Sequence, residues 1–103
     1  MEEVVLITAP NEEVARTLAR TLVEERLAAC VNLVPGLTSV YRWQGEVVED
    51  QEVLLIAKTT TFAFPRLKER VLALHPYTVP EILALPIAEG NREYLDWLRE
   101  NTG

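Results

Sequence analysis

The apolar positions of this chain change period several times, and each change predicts an element. Val4-Val5-Leu6-Ile7 is short and unbroken, the pattern of a buried strand, and Thr8-Ala9-Pro10 stops it. Val14, Leu18 and Leu22 then recur at helical spacing, joined by Ala15, Ala19, Val23 and Leu27, so an amphipathic helix follows. Asn11 is placed to cap it, and Glu12 and Glu13 favour the positive end of its dipole.

Cys30 to Trp43 reads as a long strand with a bend at Pro35-Gly36, where a central strand would tolerate neither residue. Gln44-Gly45 is a turn signal, and residues 46–59 return as the partner strand. Thr60 or Thr61 is a candidate cap for a second helix, with Phe64, Leu67, Val71 and Leu74 as its apolar stripe. His75-Pro76 ends that helix, because the residue before proline avoids the helical region. Residues 80–87 read as a fourth strand, and Pro80 and Pro86 suit a sheet edge. Gly90 breaks it, and Asn91 caps a last helix carrying Tyr94, Leu95, Trp97 and Leu98.

The order β-α-β-β-α-β-α predicts an α+β fold. With right-handed crossovers the simplest topology is a ferredoxin-like βαββαβ sandwich, carrying an extra C-terminal helix and a long hairpin between its second and third strands. Residues 1–103 are read as one domain. In this topology the first and third strands are central, and both are apolar at odd and even positions. Two crossover helices cover only one sheet face, so the other needs a partner, and a second copy of the chain is the cheapest one. The hairpin agrees: two 14-residue strands span about 45 Å, far beyond the ~13 Å radius expected of such a domain. Its tip, with Tyr41 and Trp43 on one face, should project and meet a neighbour. These arguments require an oligomer and leave dimer against trimer open.

Charge and composition narrow the function. The formal net charge of −6 opposes phosphate backbones, so nucleic acid is not an expected partner. No apolar run approaches the ~20 residues that cross a bilayer, residues 2 and 3 are Glu rather than a basic leader, and Cys30 is the only cysteine. Together these predict a cytoplasmic, membrane-free protein. Eight of ten basic residues are Arg, which leans towards a heat-adapted source.

Catalytic chemistry finds little to use. A nucleophile–base pair could draw only on Cys30, Ser39 and His75, and Cys30 reads as an inert core thiol. There is no phosphate-binding glycine loop and no Cys-x-x-Cys. His75 is the one side chain suited to a borderline metal, and Glu81, six residues on, is a candidate second ligand. The competing reading is that His75 caps the end of its helix as an imidazolium, and the pattern alone favours that. A symmetric oligomer alters the count, since a neighbour can supply further ligands. Tyr41 with Trp43, and Tyr94 with Trp97, could line a ligand pocket, although packing is the commoner fate.

Taken together, Arg26-Leu27-Ala28-Ala29-Cys30-Val31-Asn32, Pro35-Gly36, Ser39-Val40-Tyr41-Arg42-Trp43, Lys58-Thr59, His75-Pro76-Tyr77, Val79-Pro80-Glu81-Ile82, Leu85-Pro86-Ile87 and Gly90-Asn91 resemble the divalent-cation-tolerance (CutA) family. The resemblance spans nearly the whole chain. It implies a tightly packed homotrimer with an architecture like PII-type signalling proteins, a non-enzymatic role in tolerance of divalent metals, copper above all, and high stability. Some bacterial relatives carry a Cys where this chain has Ile7 and a second His where it has Leu74, both proposed copper ligands, and Thr78 stands where an acidic residue is common. Only His75 remains of that set, so a weaker or differently built copper or divalent-cation site around His75 and Glu81 is expected. The alternative is a sensor or scaffold that takes an anionic metabolite or a protein at clefts between subunits, with Tyr41, Arg42, Trp43, Lys58 and Tyr77 as the candidate cleft or interface residues.

Overall fold

The two strands whose runs 4–7 and 53–57 are apolar at both odd and even positions lie at the centre of the sheet. A computed structural model describes all residues, 1–103. It contains β1 (Glu2–Ala9), α1 (Glu12–Glu24), β2 (Cys30–Trp43), β3 (Glu46–Thr60), α2 (Phe64–Leu74), β4 (Ile82–Pro86) and α3 (Arg92–Glu100). The sheet order is β2-β3-β1-β4 with every neighbouring pair antiparallel, which is the ferredoxin-like arrangement.

The odd positions of β1 and β3 face the helices. Val5, Ile7 and Ala9 meet Val53, Leu55 and Ala57, and Ala15, Leu18, Ala19 and Leu22 of α1 close over them with Leu67 and Val71 of α2. The even positions form the other face. There Val4 and Leu6 of β1, Leu54 and Ile56 of β3, Val34 of β2 and Leu83 and Leu85 of β4 stand side by side. Val34, Leu83 and Leu85 are 43%, 54% and 50% exposed, so this face has no cover over much of its area. Only α3 lies there, anchored by the fully buried Leu98 and by an ion pair from Arg99 to Glu2 at 2.8 Å. The Arg99 guanidinium holds the Glu2 carboxyl below its usual range.

The hairpin is as long as expected. The molecule measures 44 × 25 × 22 Å, its long axis set by β2 and β3. The strands are joined by Gln44 and Gly45, both at positive φ (50° and 82°), the pair of conformations that a two-residue turn needs to match strand twist. A register shift between Val34 and Leu37 marks the bend at Pro35-Gly36.

Three details depart from the sequence-based expectation. Val23 and Leu74 are 41% and 38% exposed, so the helix stripes are narrower than the apolar periodicity implies. No threonine side chain caps α2: its N-cap is Ala63, followed by proline in the first turn, and the Thr60 hydroxyl instead accepts from the Ala63 N–H at 3.2 Å to close the turn before it. Cys30 is half-buried on the outer sheet face beside Lys58 and not in the helix-covered core.

Past α1 the chain turns through Arg26 in the left-handed region (φ 59°), and the N–H groups of Arg26 and Leu27 close on Val23 and Leu22. A non-glycine residue there costs about 1–2 kcal/mol. The Arg26 side chain offsets it by donating to the carbonyls of Glu100 at 2.7 Å and Gly103 at 3.0 Å, which ties the end of α1 to the end of α3.

Truncating the centre of this core tests its placement. Leu55→Ala should lower unfolding stability by about 2–5 kcal/mol in chemical denaturation. Val47→Ala, at a position 67% exposed near the hairpin tip, should stay within about 0.5 kcal/mol of the parent.

Candidate functional site

A cleft of about 620 Å³ opens where the outer part of the hairpin meets the segment after α2. Alternation along the strands decides what faces it. On β2, Ser39, Tyr41 and Trp43 share a face, and the register sets Ser39 opposite Asp50 and Leu37 opposite Glu52. Thr8 lines the cleft from β1, and Pro76, Tyr77, Thr78, Val79 and Glu81 line it from the segment between α2 and β4.

Two tyrosine–carboxylate pairs organise the cleft. The Tyr41 hydroxyl donates to Asp50 Oδ2 at 2.5 Å, and the Tyr77 hydroxyl donates to Glu52 Oε2 at 2.6 Å. The hydrogen bond to Asp50 raises the Tyr41 hydroxyl above its ordinary pKa. Burial does the same to Tyr77, and Glu52 adds to it. Tyr41 and Asp50 also act on Tyr77 through space, so the four side chains form one electrostatic group. Glu52 is only 8% exposed.

His75 lies behind this group, with both ring nitrogens engaged. Nε2 is 2.7 Å from the Thr8 carbonyl, and Nδ1 is 3.1 Å from the Tyr77 backbone N–H. A carbonyl only accepts and an amide only donates, so the ring carries its hydrogen on Nε2. The helix-ending role is real, but the backbone performs it: the His75 N–H bonds Val71 O at 2.8 Å, while the ring staples the loop to β1. The ring also packs against Tyr77, centroids 4.7 Å apart, and so sets the angle from which Tyr77 reaches Glu52.

The candidates therefore separate. Tyr41, Trp43, Tyr77 and Glu81 meet around the cleft. Arg42, although it lies between two lining residues on β2, is not among the residues that line the cleft. Lys58 sits at the far end of β3, hydrogen-bonded to Asn32 and 3.9 Å from Cys30 Sγ. Tyr94 and Trp97 stack on each other in α3 at 5.4 Å, and burial together with the nearby Cys30 raises the Tyr94 hydroxyl. Asp50 and Glu52 were not singled out by sequence. Their signal, two carboxylates two apart on a strand facing two tyrosines, emerges only once the bulge fixes the register.

A divalent ion needs several ligands at once. No group of three or more His, Cys, Asp or Glu side chains in this chain is placed to hold one. His75 could coordinate only by giving up its bond to Thr8 or to Tyr77. The residues of one chain do not by themselves make a metal site.

The chain matches the family model of the CutA1 divalent ion tolerance protein over residues 3–101. It is 86% identical to the divalent-cation tolerance protein CutA of Thermus thermophilus, over 100% of both chains. A solved structure of that Thermus protein superposes with a TM-score of 0.98 over 100% of each chain. The structure of CutA1 from Oryza sativa is 50% identical and superposes with a TM-score of 0.96, covering 99% of this chain and 94% of that one. Human Protein CutA is 51% identical over 93% of this chain and 54% of its own length, so the chain spans about half of that relative. No helix is long and apolar enough to cross a membrane.

The raised tyrosines set an alkaline limit. A hydroxyl whose folded pKa lies above its unfolded value of about 10 contributes stability that is present below that pH and lost as pH climbs towards the folded value. The melting temperature should therefore fall from about pH 10 upward. Tyr77→Phe should flatten that fall, and a Tyr77→Phe curve as steep as the parent's would show that Tyr77 is not the group responsible.

Proposed function

Since the chain belongs to the CutA1 divalent ion tolerance family, we propose that it acts as a non-catalytic homotrimer of the cytoplasm that binds copper or a similar divalent cation weakly, around His75 and Glu81. The observation that carries the cation reading is the acidity of the cleft. None of the chain's ion pairs involves Asp50, Glu52 or Glu81. Weakness follows from His75, since coordination must displace a hydrogen bond that the ring already makes. A neighbouring subunit completes the ligand set.

The homotrimer rests on the uncovered face. The accessible surface is 6482 Å² for a chain of 11.7 kDa. A compact monomer of that mass exposes roughly 5,900 Å². The excess lies in the projecting hairpin and the bare outer sheet, and burying both against like copies removes it. The non-catalytic reading rests on the dispersal of the nucleophile and base candidates. Cys30 is beside Lys58, Ser39 is in the hairpin, and His75 is held by Thr8.

A second reading is favoured by the size of the cleft, which is large for a bare ion and ordinary for a small molecule. A PII-like trimer that senses or carries a metabolite, or docks a protein, would use the same walls.

Titrating Cu²⁺ and Zn²⁺ into chelator-treated protein by calorimetry separates these readings. The expected result is weak copper binding that falls in His75→Ala and in Glu81→Gln. Stoichiometry and affinity unchanged in both variants would remove the site from these residues. In light scattering, the parent should have three times the subunit mass. Leu83→Glu should shift it towards smaller species, and Trp43→Ala should weaken association by about 2 kcal/mol if the hairpin tip packs at the interface.

A further inference from the structure

The lining of the cleft carries a second and sharper assignment, which rests on the metabolite reading of the site and not on the metal. We propose that the cleft binds an organic ammonium ion, with Glu52 and Glu81 taking its charge, Tyr41 and Trp43 offering aromatic faces, and Val40 and Val79 covering its methylene groups.

Charge excludes the opposite class. No Lys, Arg or His is among the residues that line the cleft, while two carboxylates are. Arg42 and Lys58, the two cations that would have favoured an anion, lie elsewhere. An anionic metabolite would meet Glu52, Glu81 and the nearby Asp50 with nothing to neutralise it.

Burial makes the attraction specific. Glu52 is 8% exposed, and an ionised carboxylate so placed needs compensation. Tyr77 supplies one hydrogen bond to Oε2. No side chain of the protein donates to Oε1, and no Lys or Arg pairs with the residue. Glu52 Oε1 takes no hydrogen bond from the protein, is not a buried atom and belongs to a residue that lines the cleft, so an entering ammonium group can donate to it and pair with its charge.

The aromatic residues fit the same ligand. Cations are drawn to the faces of Trp and Tyr, most strongly where water is partly excluded. Tyr41 and Trp43 line the cleft and are 41% and 43% exposed in the single chain. The Tyr41 hydroxyl is held by Asp50, which fixes its ring and adds a third carboxylate close to the bound charge. About 620 Å³ accommodates several methylenes as well as a charged head. A bare divalent ion, bonding at roughly 2–2.6 Å, would leave most of that volume to water.

The test is calorimetry on purified, chelator-treated protein at low salt, with spermidine, tetraethylammonium and citrate as probes. Spermidine should bind saturably, one per chain, with tetraethylammonium weaker and citrate silent. Glu52→Gln and Glu81→Gln should each weaken spermidine roughly tenfold, equivalent to about 1.4 kcal/mol. Glu89→Gln, an exposed carboxylate outside the cleft, should change nothing. Equal losses in Glu81→Gln and Glu89→Gln would reduce the effect to general attraction by an acidic surface and overturn the assignment. Citrate binding without a response to either ammonium probe would keep a metabolite cleft and reject its ligand class. Silence from all three probes in folded protein would mean that the cleft is closed, as by a second copy, and would reject both.

Discussion

A four-stranded sheet with apolar side chains on both faces cannot stand alone in water when its crossover helices cover one face only. That constraint organises the molecule. The helix-covered face supplies the core through Val5, Ile7, Val53 and Leu55. The opposite face leaves Val34, Leu83 and Leu85 exposed, and the proposed homotrimer would cover it. The long hairpin belongs to the same problem, because strands that outrun their own core need a surface elsewhere to lie on. Even α3 reads as a partial answer: a nine-residue helix, anchored by one buried leucine, screens one end of the open face and leaves the rest.

The cleft sits where this open face, the bulged strand and the segment after α2 converge. Its chemistry is a by-product of how the fold handles those three pieces. The shift between Val34 and Leu37 sets Tyr41 and Trp43 on the same side as Asp50 and Glu52. His75 then fixes the segment that brings in Tyr77. This histidine is the chain's one candidate nitrogen ligand, and within the single chain its ring also has a structural part to play. It spends one nitrogen on β1 and the other on the loop, and Tyr77 depends on both.

Much of the fold was legible in the sequence because each element carried its own punctuation. Asn11 caps α1 through the Val14 N–H at 2.9 Å, and Asn91 caps α3 through the Glu93 N–H at 3.1 Å, both as composition and position foretell. Gln44-Gly45 marks the turn, and the doubly apolar runs mark the central strands. The start of α2 was misjudged because a threonine three residues early looks the same in sequence as a cap. Cys30 was misplaced because a cysteine at a strand start shows no sign of which face it takes. The site was less legible than the fold. Trp43, Tyr41, Tyr77 and Glu81 were nameable, but Glu52 and Asp50 depend on a register that a two-residue bulge shifts. Arg42 and Lys58 do not line the cleft within one chain, since proximity in sequence to an aromatic pair, or to a strand end, does not tell which side of a ribbon a side chain takes; their place at clefts between subunits is a separate matter.

The Arg26 clamp also bears on how a subunit is made. Its acceptors, Glu100 and Gly103, lie 74 and 77 positions further along the chain. During synthesis the strands and both crossover helices emerge before the clamp has anything to hold, and α3 follows every one of them. For that interval the open sheet face lacks even its partial screen, and Arg26 bears its backbone strain without compensation. The open face is thus least covered in the interval before α3 is available to dock. Docking of α3 then works as a release step, relaxing the strained corner and fixing which part of the face is left for a neighbouring copy.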